Sequence, residues 1–403
     1  MPGCLAARRA GAPPDVVAHC VSDRASPLVP PYRQPRPPVR ADLPAPSTTG
    51  APIRITRHTL PLIAGAAACV TLALTGCTND SGTAESKQAP GASTAPKPTR
   101  VPSLTQAQAR EAITHYSQTN NLAHQSQDRA LLDTVEGGPR YAMSLADIKQ
   151  DEALPKADRE PYRPWSYDLS ATDLYIPRLA DGQQRWFAAV TRAGSQQQYA
   201  RVLILAESTK SKQQWEMVAT VDIDDPKQLP QIVLDNDGYA TAVDATSQSL
   251  AAPVGVLRSA VTDNFATGGE TTGKKVFNPS KASQRQIKVH DETTRKFGPR
   301  GTTRFATADP QFADAYALKT TTGALVIFSH THTQHDAVTA PGLGIVPEKQ
   351  DRAWLGTSPS LAFTYTFTCS DIAAVPSVPE PSSLLGYGCR RTDAKAAGSS
   401  TSV

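Results

Sequence analysis

The segment RITRHTLPLIAGAAACVTLALTGC limits what this chain can become more than any other: Arg54 and Arg57 precede an uncharged run from Leu60 to Leu74, closed by Leu74-Thr75-Gly76-Cys77. Basic residues stay on the cytoplasmic side, the apolar run enters the bilayer, and small residues before a cut fit a peptidase cleft. The run is 15 residues long, short of the roughly 20 that a spanning helix needs. Residues 54–76 therefore read as a secretion signal, and only the chain from Cys77 onward has to fold.

The ending L-T-G-C at 74–77 resembles a bacterial lipobox, in which the cysteine thiol is acylated, with palmitate among the expected chains, and becomes the mature N-terminus. Each buried CH₂ adds about 0.8 kcal/mol, so several chains together hold a protein on a membrane without a spanning helix. Cys77 is the expected lipidation site, and the membrane, met through this anchor on the extracytoplasmic face, is the first expected partner. Residues 1–53 are crowded with proline, as in PPYRQPRPPVR. They read as a mis-assigned start, the alternative being a disordered leader.

Removal of the leader changes the meaning of the charge. Of 41 Lys+Arg and 37 Asp+Glu, 8 and 3 lie before Cys77, which leaves 33 against 34. The mature chain is close to neutral, so no nucleic-acid partner is expected. Cysteine usage agrees with export: beyond Cys77 only Cys369 and Cys389 remain. Outside the reducing cytosol these two are expected to form one disulfide, which by chain entropy would add about 3 kcal/mol.

From 77 to 102 the chain is small, polar and Pro-rich, a flexible tether. Order is expected from PSLTQAQAREAITHYSQ, where Thr105 and Gln108 have capping-box spacing and Ala109, Ala112, Ile113 and Tyr116 follow at helical spacing. Asn120-Asn121 is expected to interrupt that helix, with a second segment at AHQSQDRALLDTV before an EGGP turn. TDLYIPRL, QRWFAAVTRA, YARVLILAES and QWEMVATVDI then read as antiparallel strands. The order recurs from residue 250, with helical spacing at Val254, Leu257, Val261 and Phe265 and strands ADAYALKT, ALVIFSHT and LAFTYTFTC. The expected fold class is α+β, two tandem modules of a helix plus a curved antiparallel sheet at 103–249 and 250–393, with a disordered tail at 394–403.

The lipobox, the Thr/Ala/Pro tether, LTQAQAREAITHYSQTNNLAHQSQDRALLDTVEGGP and LDNDGYATAV together resemble an uncharacterised actinobacterial lipoprotein family, over most of residues 60–376. The resemblance implies an exported, membrane-tethered protein of no assigned activity and carries over no catalytic residues.

Three histidines fall in FSHTHTQHD: His330, His332 and His335. On a strand the first two share a face, and the third would come from the turn beyond; zinc takes neutral imidazoles in a tetrahedral set. The string also resembles the metallo-β-lactamase motif H-x-H-x-D-H. However, Gln334 replaces its aspartate, no histidine follows His335, and 68 residues remain, too few for the downstream ligands. The cluster reads instead as a solvated strand end, with a metal site on the three imidazoles as the alternative. Asp235-Asn236-Asp237-Gly238 has Val233 where a calcium loop needs an oxygen ligand, and reads as a turn. His115 and His124 read as surface or capping residues, and Trp165, Trp186, Trp215 and Trp354 as core. The sequence has no G-x-S-x-G elbow, P-loop or G-x-G-x-x-G fingerprint.

The expectation is a non-enzymatic binding or scaffold lipoprotein that meets an envelope protein or wall component and needs no cofactor. Two alternatives stand beside it. One is a small-molecule site inside a cone-shaped α+β module, an argument from fold analogy; the other is a metal-dependent hydrolase or metal carrier on His330, His332 and His335.

Overall fold

Thr105 opens the first helix for a local reason. Its hydroxyl accepts from the Gln108 N–H at 3.3 Å, while Gln108 Oε1 accepts from the Thr105 N–H at 2.9 Å, so two otherwise orphaned donors are satisfied reciprocally. The computed structural model describes residues 5–7, 99–193, 196–211, 214–223 and 225–399. The expected signal segment, Cys77, the tether as far as residue 98 and all of the leader except 5–7 lie outside the described residues. No described helix is long and apolar enough to cross a membrane.

A short strand β1 (Leu5–Ala7) stands at the start, and β2 (Arg100–Pro102) takes the last residues assigned to the tether. Helix α1 (Gln106–Ser126) buries Ala109, Ala112, Ile113 and Tyr116, the expected stripe. It runs straight through Asn120-Asn121, where a break was expected. Asn120 donates to the Glu136 carboxylate at 2.9 Å and Asn121 to the Trp165 carbonyl at 2.7 Å. Their amides are held by tertiary partners and do not compete for the helix backbone.

The break comes at Gln127, in the left-handed region at φ 55°, before the single turn α2 (Arg129–Leu132). The EGGP segment is more than a turn: α3 (Gly138–Glu152) starts inside it, with Pro139 in its first turn, where a missing N–H costs nothing.

Strands β3 (Thr172–Tyr175), β4 (Pro177–Ala180), β5 (Trp186–Ala193), β6 (Gln196–Glu207) and β7 (Trp215–Ile223) follow; the one strand expected over TDLYIPRL is divided at Ile176 into β3 and β4, which join different sheets. Strands β3, β5, β6 and β7 form one antiparallel sheet in that order, and β4 pairs with β2 and with β8 (Ala240–Thr241). On β6, Leu203 and Leu205 join Ile113 and Tyr116 of α1, whereas Val202 and Ile204 face the other way, toward Tyr316, Leu325 and Ile327. Burial on both faces explains why this stretch is an unbroken apolar run without alternation.

The second half begins with α4 (Val254–Thr267), α5 (Gly273–Val276) and α6 (Lys281–Thr294). It continues with β9 (Gly301–Thr307), β10 (Ala315–Lys319), β11 (Gly323–Val338) and β12 (Leu343–Ile345). The turn α7 (Arg352–Leu355), β13 (Ser360–Pro376) and β14 (Ser383–Ser399) complete the chain. Strand β11 pairs with β10, β9 and β13, and β14 pairs with β13.

The tail expected from 394 is part of β14 as far as Ser399: Ala394 is buried against Phe363 and Tyr365, which gives these residues an apolar seat. The molecule is mixed α+β, in layers that run α1, first sheet, second sheet, α4. The two sheets meet face to face, so the halves share the cluster between them, while α1 and α4 each cover a further cluster on the outer face of their own sheet; the residues from 98 onward belong to one compact unit.

Candidate functional site

Strand β11 pairs with β13 without a register shift from Gly323 to Ala337, so its side chains alternate strictly between faces. Ala324, Val326 and Phe328 pack with Val254, Leu257 and Val261 of α4. His330 and His332 continue that face, then Gln334 and Asp336. One face of one strand thus passes from apolar to imidazole to carboxylate.

His330 lies opposite Cys369 on β13, and Cys369 opposite Cys389 on β14. The cysteines form the Cys369–Cys389 disulfide, with Cα atoms 4.1 Å apart. Asp371, two residues along β13 on the same face, takes His330 Nδ1 at 2.5 Å, and His330 Nε2 lies 3.1 Å from His332 Nδ1. The Cys369 sulfur is 3.8 Å from that same His332 nitrogen. His332 is stacked between Phe265 of α4 and Phe367 of β13, at 4.3 and 5.1 Å between ring centroids.

Both histidines are 2% exposed, and Asp371 and Cys369 are 0% exposed. The solvated strand end expected for this cluster is therefore incorrect: β11 extends to Val338, and α4 covers this face of its middle. His335 lies inside the strand, not in a turn, and at odd spacing from the other two. It bonds Thr364 at 3.0 Å, and the three imidazoles do not form one ligand set. Burial, then the neighbouring His330 imidazole, hold the His332 pKa well below the usual imidazole range, so His332 is neutral.

With Asp371 on His330 Nδ1, the other ring nitrogen of His330, Nε2, faces His332 Nδ1. Among the described residues, His330, His332, Cys369 and Cys389 form a group whose potential ligand atoms all lie within 4.8 Å of one another. Asp371 was not singled out from the sequence. The signal was present in TFTCSDI, where Cys369 and Asp371 stand two apart, but the pairing with His330 spans 41 residues.

A second feature is an open cleft, with a cavity of about 100 Å³, between the two sheets. Val218 of β7, Tyr316 of β10, Ile327 of β11 and Phe312 give it apolar walls, and Glu216, Asp314 and Ser329 line it too. Ser208 donates to Glu216 at 2.6 Å, and Gly137 leaves room for that carboxylate, since a Cβ there would lie 2.3 Å from Glu216 Oε2. Asp314 is exposed.

The remaining candidates are structural. Asp235 accepts from the N–H groups of Asp237 and Tyr239, both at 2.9 Å, and Arg178 reaches Asp235 at 2.6 Å and Asp237 at 2.5 Å, so this is a clasped turn. His124 stacks on Tyr162 and His115 is exposed. Trp186 is buried beside Tyr316, while Trp165, Trp215 and Trp354 pack at core margins. The helix–sheet interface of the first half is filled by Tyr116, Phe187 and Met217, and a second cavity of about 260 Å³ opens beside α1, lined by Ile113, Ser117, Asn121, Trp165 and Tyr167.

This α+β architecture belongs to a family described as a domain of unknown function, DUF8094, which matches residues 100–396. The chain is 54% identical over 346 residues to the uncharacterized lipoprotein SCO6871 of Streptomyces coelicolor, covering 85% of this chain and 96% of the relative. It is 26% identical over 280 residues to the uncharacterized lipoprotein SCO2278 of the same organism, covering 68% and 81% respectively. No solved structure matches the chain.

Proposed function

We propose that this chain is a lipid-anchored binding lipoprotein of the extracytoplasmic face, non-enzymatic, which holds its ligand in the cleft between the two sheets. The L-T-G-C ending at Cys77 and the names of two relatives support the anchor. The observation that carries the binding role is the cleft itself: about 100 Å³ of cavity, with apolar walls and with Glu216 and Asp314 among its lining residues.

Such a site fits a ligand with an apolar body and a cationic end. Against turnover stands the containment of the buried acid and base groups. Glu136 Oε1 accepts from Tyr116, Asn120 and Arg140, each at 2.9 Å, and His330 is engaged by Asp371.

Alkylamines of increasing chain length, titrated against the full chain and followed by calorimetry, test the reading. Affinity should rise with chain length and fall about tenfold in Asp314→Asn, on the order of 1.4 kcal/mol for a charge-assisted contact. Absence of binding, or equal binding by Asp314→Asn and by a cleft-filling Val218→Trp variant, would refute it.

A further inference from the structure

The row His330, Cys369, Cys389 runs straight across three strands, with His332 one step along β11. Tetrahedral zinc has Zn–N and Zn–S bonds of about 2.0 and 2.3 Å, which place ligand atoms about 3.3 to 3.8 Å apart. His330 Nε2 to His332 Nδ1 is 3.1 Å and Cys369 Sγ to His332 Nδ1 is 3.8 Å. These two spacings lie within about 0.3 Å of such a set; the S–S contact does not, because the sulfurs are bonded.

We propose that the Cys369–Cys389 disulfide is the lock of a buried zinc site, which reduction by a dithiol donor opens as a Cys₂His₂ set with His330 and His332. In the step, the S–S bond breaks and the donor's own disulfide forms. Two electrons and two protons pass to the protein sulfurs. Zinc then displaces both thiol protons and is held by two thiolates and two imidazoles.

Charge decides why the oxidised form excludes the ion. A dication beside His330, His332 and Cys369, each 0–2% exposed, needs two compensating charges close by. Two thiolates supply them and leave the set neutral, whereas the disulfide supplies none. Asp371 is already in the supporting position, on the far nitrogen of His330, where metal-bound histidines commonly meet a carboxylate. Its other oxygen, Oδ1, is buried without a hydrogen-bond partner. Cys389 is half-buried on β14, and gives a reductant its point of attack.

The full chain, with and without treatment by a dithiol that is then removed anaerobically, is incubated with zinc, desalted and assayed for bound metal and for circular dichroism. Cobalt replaces zinc in a parallel sample. The expected result is about one zinc per reduced chain and almost none per oxidised chain, with sulfur-to-cobalt charge-transfer absorption only after reduction. A His330→Ala/His332→Ala variant should lose at least tenfold in affinity while keeping a native spectrum in the oxidised form.

Equal metal content before and after reduction would overturn the proposal, as would full retention by the histidine variant. So would a reduced chain with native dichroism and no zinc, or one that loses native dichroism whether or not zinc is present. Zinc bound by a Cys369→Ser/Cys389→Ser variant as tightly as by the reduced chain would equally refute it, since that variant has the opened strands but no thiolates.

Discussion

His332 shows how burial converts a titratable side chain into a packing group. It is stacked between Phe265 and Phe367, 2% exposed, and its pKa is held well below the ordinary 6.5 by burial and by the His330 imidazole. Because the folded state keeps this ring neutral while the unfolded chain protonates it near 6.5, its contribution is present above that pH and lost as pH falls below it. Urea unfolding of the full chain at pH 7.5 and 5.5 should give stabilities that differ by about 1.4 kcal/mol from this residue alone. His332→Phe, which keeps the stack, should remove that part of the difference; an unchanged pH dependence would show that His332 titrates in the fold. The identity of His330 and His332 was legible from the sequence, but their burial was not. A polar residue on a strand predicts a solvated face unless another element covers it, and here α4 lies in sequence more than sixty residues earlier.

Strands were more legible than helices. Apolar runs of β5, β6, β7, β10 and β11 announce themselves because each is covered on at least one face by the other sheet or a helix. Helices α3 and α6 escape a reading of the sequence. Only Met143, Ser144, Ala146 and Ile148 of α3, and Ala282, Ser283 and Gln286 of α6, are buried, so small and polar residues make up much of each inner face and blur the apolar period. Strand β14 resembles a tail near its end for a similar reason: the small residues Ala394, Ala396, Ala397 and Gly398 lie there. Gly386, earlier in the strand, is present because β14 meets β7 at close range, and a Cβ at this position would stand 2.2 Å from the Asp222 carbonyl oxygen. Gly386→Ala should therefore lower stability by about 1–3 kcal/mol, by overpacking between the sheets. Thermal unfolding checks this, and an unchanged midpoint would mean that the strands separate freely there.

At the scale of the whole molecule, the two sheets share the core formed by Ile204, Val221, Leu325, Ile327 and Ile372. The cleft borders that core, with Val218 and Tyr316 belonging to both. The anchor is likewise a property of the whole chain, since it would place that cleft near a membrane. Cys77→Ala in the full-length protein should abolish acylation and move the protein from the membrane to the soluble fraction. Intact mass and fractionation measure both, and an unchanged mass and distribution would dismiss the lipid anchor.

By itself the sequence determined the α+β class, the cap at Thr105, the strand pattern and the pairing of Cys369 with Cys389, because each rests on local periodicity, short-range hydrogen bonding or simple elimination. It determined equally which family the chain resembles. Only the tertiary structure decided that His330 meets Asp371, that His332 is sealed between two phenylalanines, and that His335 faces elsewhere. Those facts depend on the register between β11 and β13 and on which helix covers them, and both are fixed by packing between segments far apart in the chain.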